Sequence, residues 1–109
     1  MFKIQPNPIF DATIAIPVPG GGEAKLKLKF KRLGKKALRE LFAELESAAK
    51  DAKEVNDADV LMNILDGWSD VDVEFNKESV EQLCDNYPGA VNAIVSSYSS
   101  KMFGAVEKN

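Results

Sequence analysis

Few residues of this 109-residue chain could carry out chemistry. Histidine is absent, and Cys84 is the only cysteine. These two facts remove the usual general base and every Ser/His or Cys/His nucleophile pair. A single cysteine also excludes an intramolecular disulfide, which is typical of proteins in a reducing, cytoplasmic setting. We therefore expect a protein that is not an enzyme and requires no cofactor.

The other candidates for chemistry are the acids of segment 69–75, which stand at every second position: Asp70, Asp72 and Glu74. This spacing invites comparison with a calcium-binding loop. Such a loop needs glycine at its sixth position for a sharp turn, and the sixth residue counted from Asp70 is Phe75. The segment therefore predicts no metal site. A short extended connector that places Val71, Val73 and Phe75 against the core explains it better.

Charge is distributed unevenly, although the net charge is only −3. Residues 23–39 contain eight basic residues and one acid. Residues 40–85 contain fourteen acids and three lysines. Such asymmetry favours self-association or docking through complementary patches.

Two stretches of period-two alternation predict a β-hairpin at residues 9–31. The first places apolar residues at alternate positions from Phe10 to Val18, and the second alternates apolar residues with lysines from Ala24 to Lys31. The intervening PVPGGG contains prolines that end the strand and glycines that allow a turn. Because an isolated hairpin is marginally stable, its apolar face must be covered. Its edges could accept another strand, and the lysine row would discourage this.

The rest of the chain predicts an extended arm and about four helices. Residues 1–8 contain two prolines and form the arm, which we expect to be ordered only against another surface. Apolar residues at helical spacing predict a first helix over residues 35–53 and a second from a cap at Asn56 or Asp57 to Trp68. Asn76 caps a third helix that contains Cys84 on its apolar stripe. A fourth begins at Pro88 and ends at Gly104.

We therefore predict an α+β fold in one domain, residues 1–109, with a two-stranded antiparallel β-hairpin followed by about four α-helices. The helical part spans residues 35–104, and residues 105–109 form a frayed tail. Cys84 is interpreted as a small core hydrophobe, since no base or cation near it would activate the thiol. No apolar run is long enough for a membrane span, so we expect a soluble protein.

Candidate partner contacts follow from this arrangement. They comprise the hairpin edge, the lysine face, the first helix and the single tryptophan: Ile14, Ile16, Lys27, Lys29, Lys31, Phe42 and Trp68. Trp68 has two explanations, a core residue at a helix end or a partner anchor. Alternating lysines could also contact phosphates, but no aromatic residues interleave with them and the charge is acidic overall. Nucleic acid binding is therefore the less favoured reading.

Three segments resemble the tail assembly chaperones of long-tailed phages and prophages. They are the hairpin FKIQPNPIFDATIAIPVPGGGEAKLKLKFK, the segment VLMNILDGWSDVD, and EFNKESVEQLCDNYPGAVNAIVSSY. The resemblance covers roughly residues 2–104. Its most specific parts are PVPGGGEAKLK, the pair Gly67-Trp68 followed by acids, and NYPG followed by an apolar helix.

This resemblance implies a non-enzymatic chaperone that binds the tape-measure protein and keeps it soluble during tail morphogenesis. It implies a homo-oligomer in the host cytoplasm that is absent from the mature virion. The family often makes a longer, frameshifted product that recruits the tail-tube protein, and the codons of residues 107–109 could contain a slip site. The alternative is a small phage structural or connector component, or a nucleic-acid-binding accessory module.

Overall fold

The computed structural model describes residues 2–50 and 56–104, except for the side chains of residues 48–50. Within these residues the fold is α+β, with one three-stranded antiparallel sheet and four helices. The elements are β1 (Ile9–Pro17), β2 (Glu23–Lys31), α1 (Lys35–Lys50), α2 (Asp57–Ile64), β3 (Leu65–Ser69), α3 (Lys77–Asn86) and α4 (Ala90–Phe103). The α+β class is confirmed, and the division of residues 1–109 as a single domain stays a prediction.

The predicted hairpin is confirmed. β1 and β2 pair antiparallel in an uninterrupted register from Ile9 opposite Lys31 to Pro17 opposite Glu23. In the turn, Gly20, Gly21 and Gly22 all have positive φ angles, which side chains disfavour. Val18 N–H donates to the carbonyl oxygen of Gly22 at 3.0 Å and closes the loop. The glycine run is therefore required by the backbone of the turn.

The sheet has a third strand that the sequence analysis missed. Residues 65–68, predicted as the end of the second helix, form β3 together with Ser69 and pair with β2. Leu65 lies opposite Phe30 and Trp68 opposite Leu28, with a bulge between them. Because the bulge adds a residue, these two side chains share a face at a spacing of three. The same spacing is typical of one face of a helix, which is why the sequence pattern predicted Trp68 at a helix end. The pairing with β2 shows that this prediction was wrong.

The hydrophobic core lies on one face of the sheet, under the helices. Its largest fully buried side chains include Tyr98 from α4, Phe30 and Leu28 from β2, and Leu61 from α2. The Tyr98 hydroxyl donates to the carbonyl oxygen of Lys31 at 2.7 Å and accepts from Leu33 N–H at 3.3 Å. One side chain thereby fixes α4 to the chain that leaves β2. The tyrosine satisfies its polar atom inside an apolar environment.

Of the two residues predicted as possible caps of α2, Asn56 is the cap, and Asn76 caps α3 as predicted. Asn56 Oδ1 accepts from Asp59 N–H at 3.2 Å, and Asn76 Oδ1 accepts from Ser79 N–H at 2.8 Å. These contacts satisfy amide groups that have no partner within the first turn of a helix.

The start of α4 differs from the prediction, since Gly89 is the N-cap and Pro88 precedes the helix. A Cβ at Gly89 would lie 3.2 Å from Cγ of Pro17, so the chain passes close to β1 there. α4 therefore begins in contact with the end of β1. Leu38 and Leu41 of α1 are buried as predicted. Residues 51–53 of the predicted first helix, Met1 of the arm and the tail 105–109 lie outside the described residues.

Candidate protein-binding site

An open groove of about 530 Å³ lies between the turn end of the hairpin, segment 70–75 and α3. Much of its lining is apolar: Ile16, Leu26, Trp68, Val71, Val73, Leu83 and Tyr87. Polar side chains also line it, among them Lys25, Asp70, Asp72, Gln82 and Asn86. Apolar walls with a few polar groups are typical of a surface that holds an apolar side chain of another molecule.

Trp68 holds segment 70–75 in place as one wall of the groove. Its Nε1–H donates to the carbonyl oxygen of Val73 at 3.0 Å. Its ring meets Phe75 edge to face, with centroids 5.2 Å apart and planes at 88°. Val73 itself is 44% exposed, although the sequence analysis placed it against the core. Its carbonyl faces Trp68, and its side chain is left at the groove surface.

An ion pair fixes the start of the same wall. Lys27 Nζ lies 2.7 Å from Asp70 Oδ2, and both side chains are exposed. The hydrogen bond and charge of Lys27 lower the pKa of Asp70, and Asp70 raises the pKa of Lys27 in the same way. Asp70 also has a φ of 56°, a left-handed conformation that aspartate tolerates better than most residues. The wall is therefore joined to β2 at its first residue.

The lysines of β2 occupy the sheet face opposite the core. Lys27 pairs with Asp70, Lys29 Nζ lies 3.3 Å from Asp11 Oδ1, and Lys31 Nζ donates to the carbonyl oxygen of Met62 at 3.3 Å. All three candidate lysines thus have a partner within the chain. These contacts reduce the positive potential that the sequence suggested for this face.

The candidates Ile14 and Ile16 lie in the core, with exposures of 4% and 2%. Arg32 N–H donates to the carbonyl oxygen of Pro8, and Val18 N–H donates to that of Gly22. Because hydrogen-bonded pairs alternate along an antiparallel ladder, the even-numbered residues of β1 bond to β2. A partner could reach Ile14 only through the adjacent backbone, whereas Ile16 also lines the groove. Their contact with a partner stays a prediction.

The backbone groups of the odd-numbered residues of β1 point away from β2. β1 is at one edge of the sheet, and no strand among the described residues pairs with its outer side. The lysine row lies on the central strand β2, so it does not protect this edge as the sequence analysis supposed. β1 therefore presents a row of main-chain donors and acceptors.

Phe42, the candidate on α1, is half-buried. Its ring centroid lies 6.2 Å from that of Phe103, which is 59% exposed at the end of α4. These two rings form a second apolar patch, which we call the Phe42–Phe103 patch. Its role as a partner contact stays a prediction.

Cys84 is half-buried on α3. Burial raises the pKa of its thiol to about 11, with smaller contributions from the charges of Asp57 and Glu81. At neutral pH such a thiol is protonated, in keeping with its interpretation as a core side chain. Within the described ranges no group of three or more cysteine and carboxylate side chains is arranged to hold a metal ion. No helix in these ranges is long and apolar enough to cross a membrane.

Of the residues that line the groove, only Ile16 and Trp68 were among the predicted partner contacts. Leu83 and Tyr87 stand at helical positions that predict a core face, and both are half-buried in the structure. The alternation of acids and valines after Trp68 predicts one buried apolar face, so it gave no signal that Val73 is exposed.

No curated protein and no solved structure matches the chain. A family model described as phage tail assembly chaperone matches residues 1–109, the whole chain. The chain therefore belongs to the phage tail assembly chaperone family.

Proposed function

We propose that this chaperone binds the tape-measure protein of a long-tailed phage or prophage and keeps it soluble until tail-tube subunits polymerise around it. It does so in the host cytoplasm, as a non-enzymatic homo-oligomer that does not enter the mature virion. The observation that carries the proposal is the groove, whose apolar lining includes the half-buried ring of Trp68 and the exposed side chain of Val73. A family role in tail assembly supports the choice of a tail protein as client.

The groove suits one apolar side chain or one turn of an amphipathic helix from the client. Its apolar lining would remove such a side chain from water at about 25 cal/mol per Å² of surface buried. Asp72 and Asp70 line the same groove and favour a client segment with a basic residue beside the apolar one. Binding of this kind competes with aggregation of the client through the same side chain.

Of the candidate contacts, Trp68 touches the client directly in this proposal. Lys27 acts through Asp70, which it holds at the groove. The Phe42–Phe103 patch is a second place where apolar client segments would bind. Ile16 lines the groove beside Trp68, and Ile14, Lys29 and Lys31 contribute through the sheet to which they belong.

Co-expression with the tape-measure protein of the same phage or prophage tests the proposal. We expect the client to move from the insoluble to the soluble fraction and to co-purify with the chaperone. Trp68 is the only tryptophan, so its fluorescence emission should shift when a client peptide without tryptophan is added. Failure of both co-purification and solubilisation would refute the proposed function.

Two matched variants locate the client. Val73→Asp places a charge in the groove, and Phe103→Asp places one in the Phe42–Phe103 patch. We expect Val73→Asp to weaken client binding at least tenfold and Phe103→Asp to weaken it less. The reverse order would retain the chaperone function and move the client to the second patch.

We also propose a longer, frameshifted form that recruits the tail-tube protein. The gene sequence tests this, because it must contain a slippery run before an overlapping downstream frame. An uninterrupted gene without such a run would exclude the longer form.

The alternative of a nucleic-acid-binding module is disfavoured by the internal partners of Lys27, Lys29 and Lys31. We expect negligible binding to duplex DNA in a fluorescence anisotropy titration. Tight binding whose logarithm falls steeply with the logarithm of salt concentration would favour the alternative.

A further inference from the structure

The N-terminal arm, residues 2–8, presents two large apolar side chains to solvent. Phe2 is 86% exposed and Ile4 is 84% exposed. Lys3 and Gln5 alternate with them, so residues 2–5 have the period-two pattern of a short strand with one apolar face. Within the described part of the chain, nothing covers that face.

The base of the arm is held in line with the hairpin. Arg32 N–H donates to the carbonyl oxygen of Pro8 at 2.8 Å, and Arg32 Nε donates to that of Asn7 at 3.0 Å. The backbone of residues 7 and 8 is therefore fixed beside Arg32, and it bends again at Ile4 and Gln5. Residues 2–5 do not pair as a strand with the edge of their own sheet.

The outer edge of β1 is suited to receive such a segment. Backbone groups of the odd-numbered residues, from Ile9 to Ala15, point outward along it. Two usual protections of an edge are absent, since β1 has no lysine and its only proline, Pro17, is at its end; Asp11 is its only charged residue. On the core side of the edge, Phe10 and Ala12 are only half-buried.

We propose that residues 2–5 of one copy pair with the outer edge of β1 in a second copy, as a fourth strand. Phe2 and Ile4 then lie on the core side, beside the half-buried Phe10 and Ala12. Lys3 lies on the opposite face, where Asp11 pairs with Lys29 through Oδ1 but is still 79% exposed and can contact a second cation. The match of apolar faces and of opposite charges favours a second copy over an unrelated strand.

This inference rests on the self-association proposed above and names the segments that produce it. It does not depend on the identity of the client. The arm and the edge lie at different places on the surface, so each copy can give an arm to one neighbour and receive one from another. Such a contact can build assemblies larger than a dimer.

A proline at the receiving edge gives the first test. Thr13→Pro removes an N–H that points outward and leaves the ladder to β2 intact. Light scattering after size-exclusion chromatography should give the molar mass of an oligomer for the wild-type chain and that of a monomer for Thr13→Pro. The circular dichroism spectra of the two should be the same. A wild-type chain that stays at one-chain mass at micromolar concentrations would overturn both this inference and the proposed self-association.

A double variant of the arm gives the second test of the inference. Phe2→Asp with Ile4→Asp should also give one-chain mass, whereas Phe103→Ala, which removes an exposed ring elsewhere, should leave the oligomer unchanged. An oligomer that survives the double arm variant would refute the arm contact and leave self-association standing.

Cross-linking tests the contact directly, because it detects that the two segments are close together. It does not depend on a variant becoming monomeric. In a Cys84→Ser background, one preparation has Lys3→Cys and the other has Thr13→Cys, both on the polar face of the proposed sheet. After mixing and mild oxidation we expect a disulfide between the two preparations, since neighbouring strands bring same-face side chains within reach. A mixture of Lys3→Cys with Lys36→Cys on α1 is the control. Equal cross-linking in both mixtures would overturn the inference.

Discussion

Trp68 Nε1–H donates a hydrogen bond to the carbonyl oxygen of Val73 at 3.0 Å. The two are five positions apart in the sequence, and the chain after Trp68 forms the wall of the groove. Because the indole fixes the backbone of Val73, its side chain is left 44% exposed at the groove surface. The same tryptophan therefore anchors the wall and lines the groove.

Trp68→Phe should loosen this wall while leaving the sheet intact. The variant keeps an aromatic ring opposite Leu28 but removes the donor to Val73. We expect the free energy of unfolding to fall by about 1 kcal/mol, the usual net contribution of one hydrogen bond. Urea denaturation followed by circular dichroism measures this change.

Amide hydrogen exchange supplies the second readout for Trp68→Phe. Exchange should become faster in segment 70–75 and stay unchanged in the hairpin. Uniformly faster exchange throughout the sheet would show that Trp68 supports the whole fold and does not anchor the wall alone.

Much of the fold could be predicted, because the relevant signals are local. Alternation along β1 and β2 and the glycine run between them specify the hairpin, and Asn76 marks the start of α3. β3 could not be predicted, because Leu61, Ile64, Leu65 and Trp68 have the spacing of a helix. Only the pairing with β2, across a bulge, shows that the last two belong to a strand. The pairing partner is distant in sequence, so no local pattern contains it.

The candidate site was harder to predict than the fold. Trp68 was identified from its residue type, but the walls around it depend on which side of segment 70–75 faces solvent. Val73 illustrates the difficulty, since a valine in an extended segment is usually expected to face the core. Ile14 and Ile16 were predicted as contacts at the hairpin edge, but their side chains lie in the core. Alternation identifies a strand and its buried face, but it does not show which edge of the strand is free.

Tyr98→Phe should destabilise the protein more than Trp68→Phe does. The Tyr98 hydroxyl bonds to the carbonyl oxygen of Lys31 and to Leu33 N–H, and the residue is fully buried. Loss of the hydroxyl leaves both backbone groups without this partner, at a cost of about 1–3 kcal/mol. Urea unfolding measures the loss, and Tyr87→Phe at the half-buried groove position is the control. An equal effect for the two tyrosines would contradict the special role of Tyr98.

Cys84 should react slowly with alkylating reagents. Burial raises the pKa of its thiol to about 11, so little thiolate is present at pH 8. We expect alkylation on the order of tenfold to a hundredfold slower than in the urea-unfolded chain. Equal rates in the two states, measured by mass spectrometry, would contradict a protected thiol.

The same pKa predicts lower stability in alkali. The ordinary value is 9.0 and the folded value is about 11, so the unfolded chain loses this proton at a lower pH than the folded chain. The unfolded state is therefore favoured progressively between these two values. Cys84→Ala should make the free energy of unfolding less dependent on pH in that interval. A pH dependence identical to that of the wild-type chain would show that the thiol does not contribute.

The ion pair between Lys27 and Asp70 should be visible as a lowered pKa of Asp70. Lys27 stabilises the charged carboxylate through a hydrogen bond and its charge, so the pKa of Asp70 lies below its usual value of 3.8. A lowered folded pKa stabilises the fold above that usual value, and the contribution is lost as the pH falls through the folded pKa. Lys27→Met should return the pKa of Asp70 to its usual range in an NMR titration, whereas Lys29→Met, which removes the neighbouring pair with Asp11, should leave it lowered. If Lys27→Met also speeds amide exchange in segment 70–75, the pair positions the groove wall; unchanged exchange would assign that task to Trp68 alone.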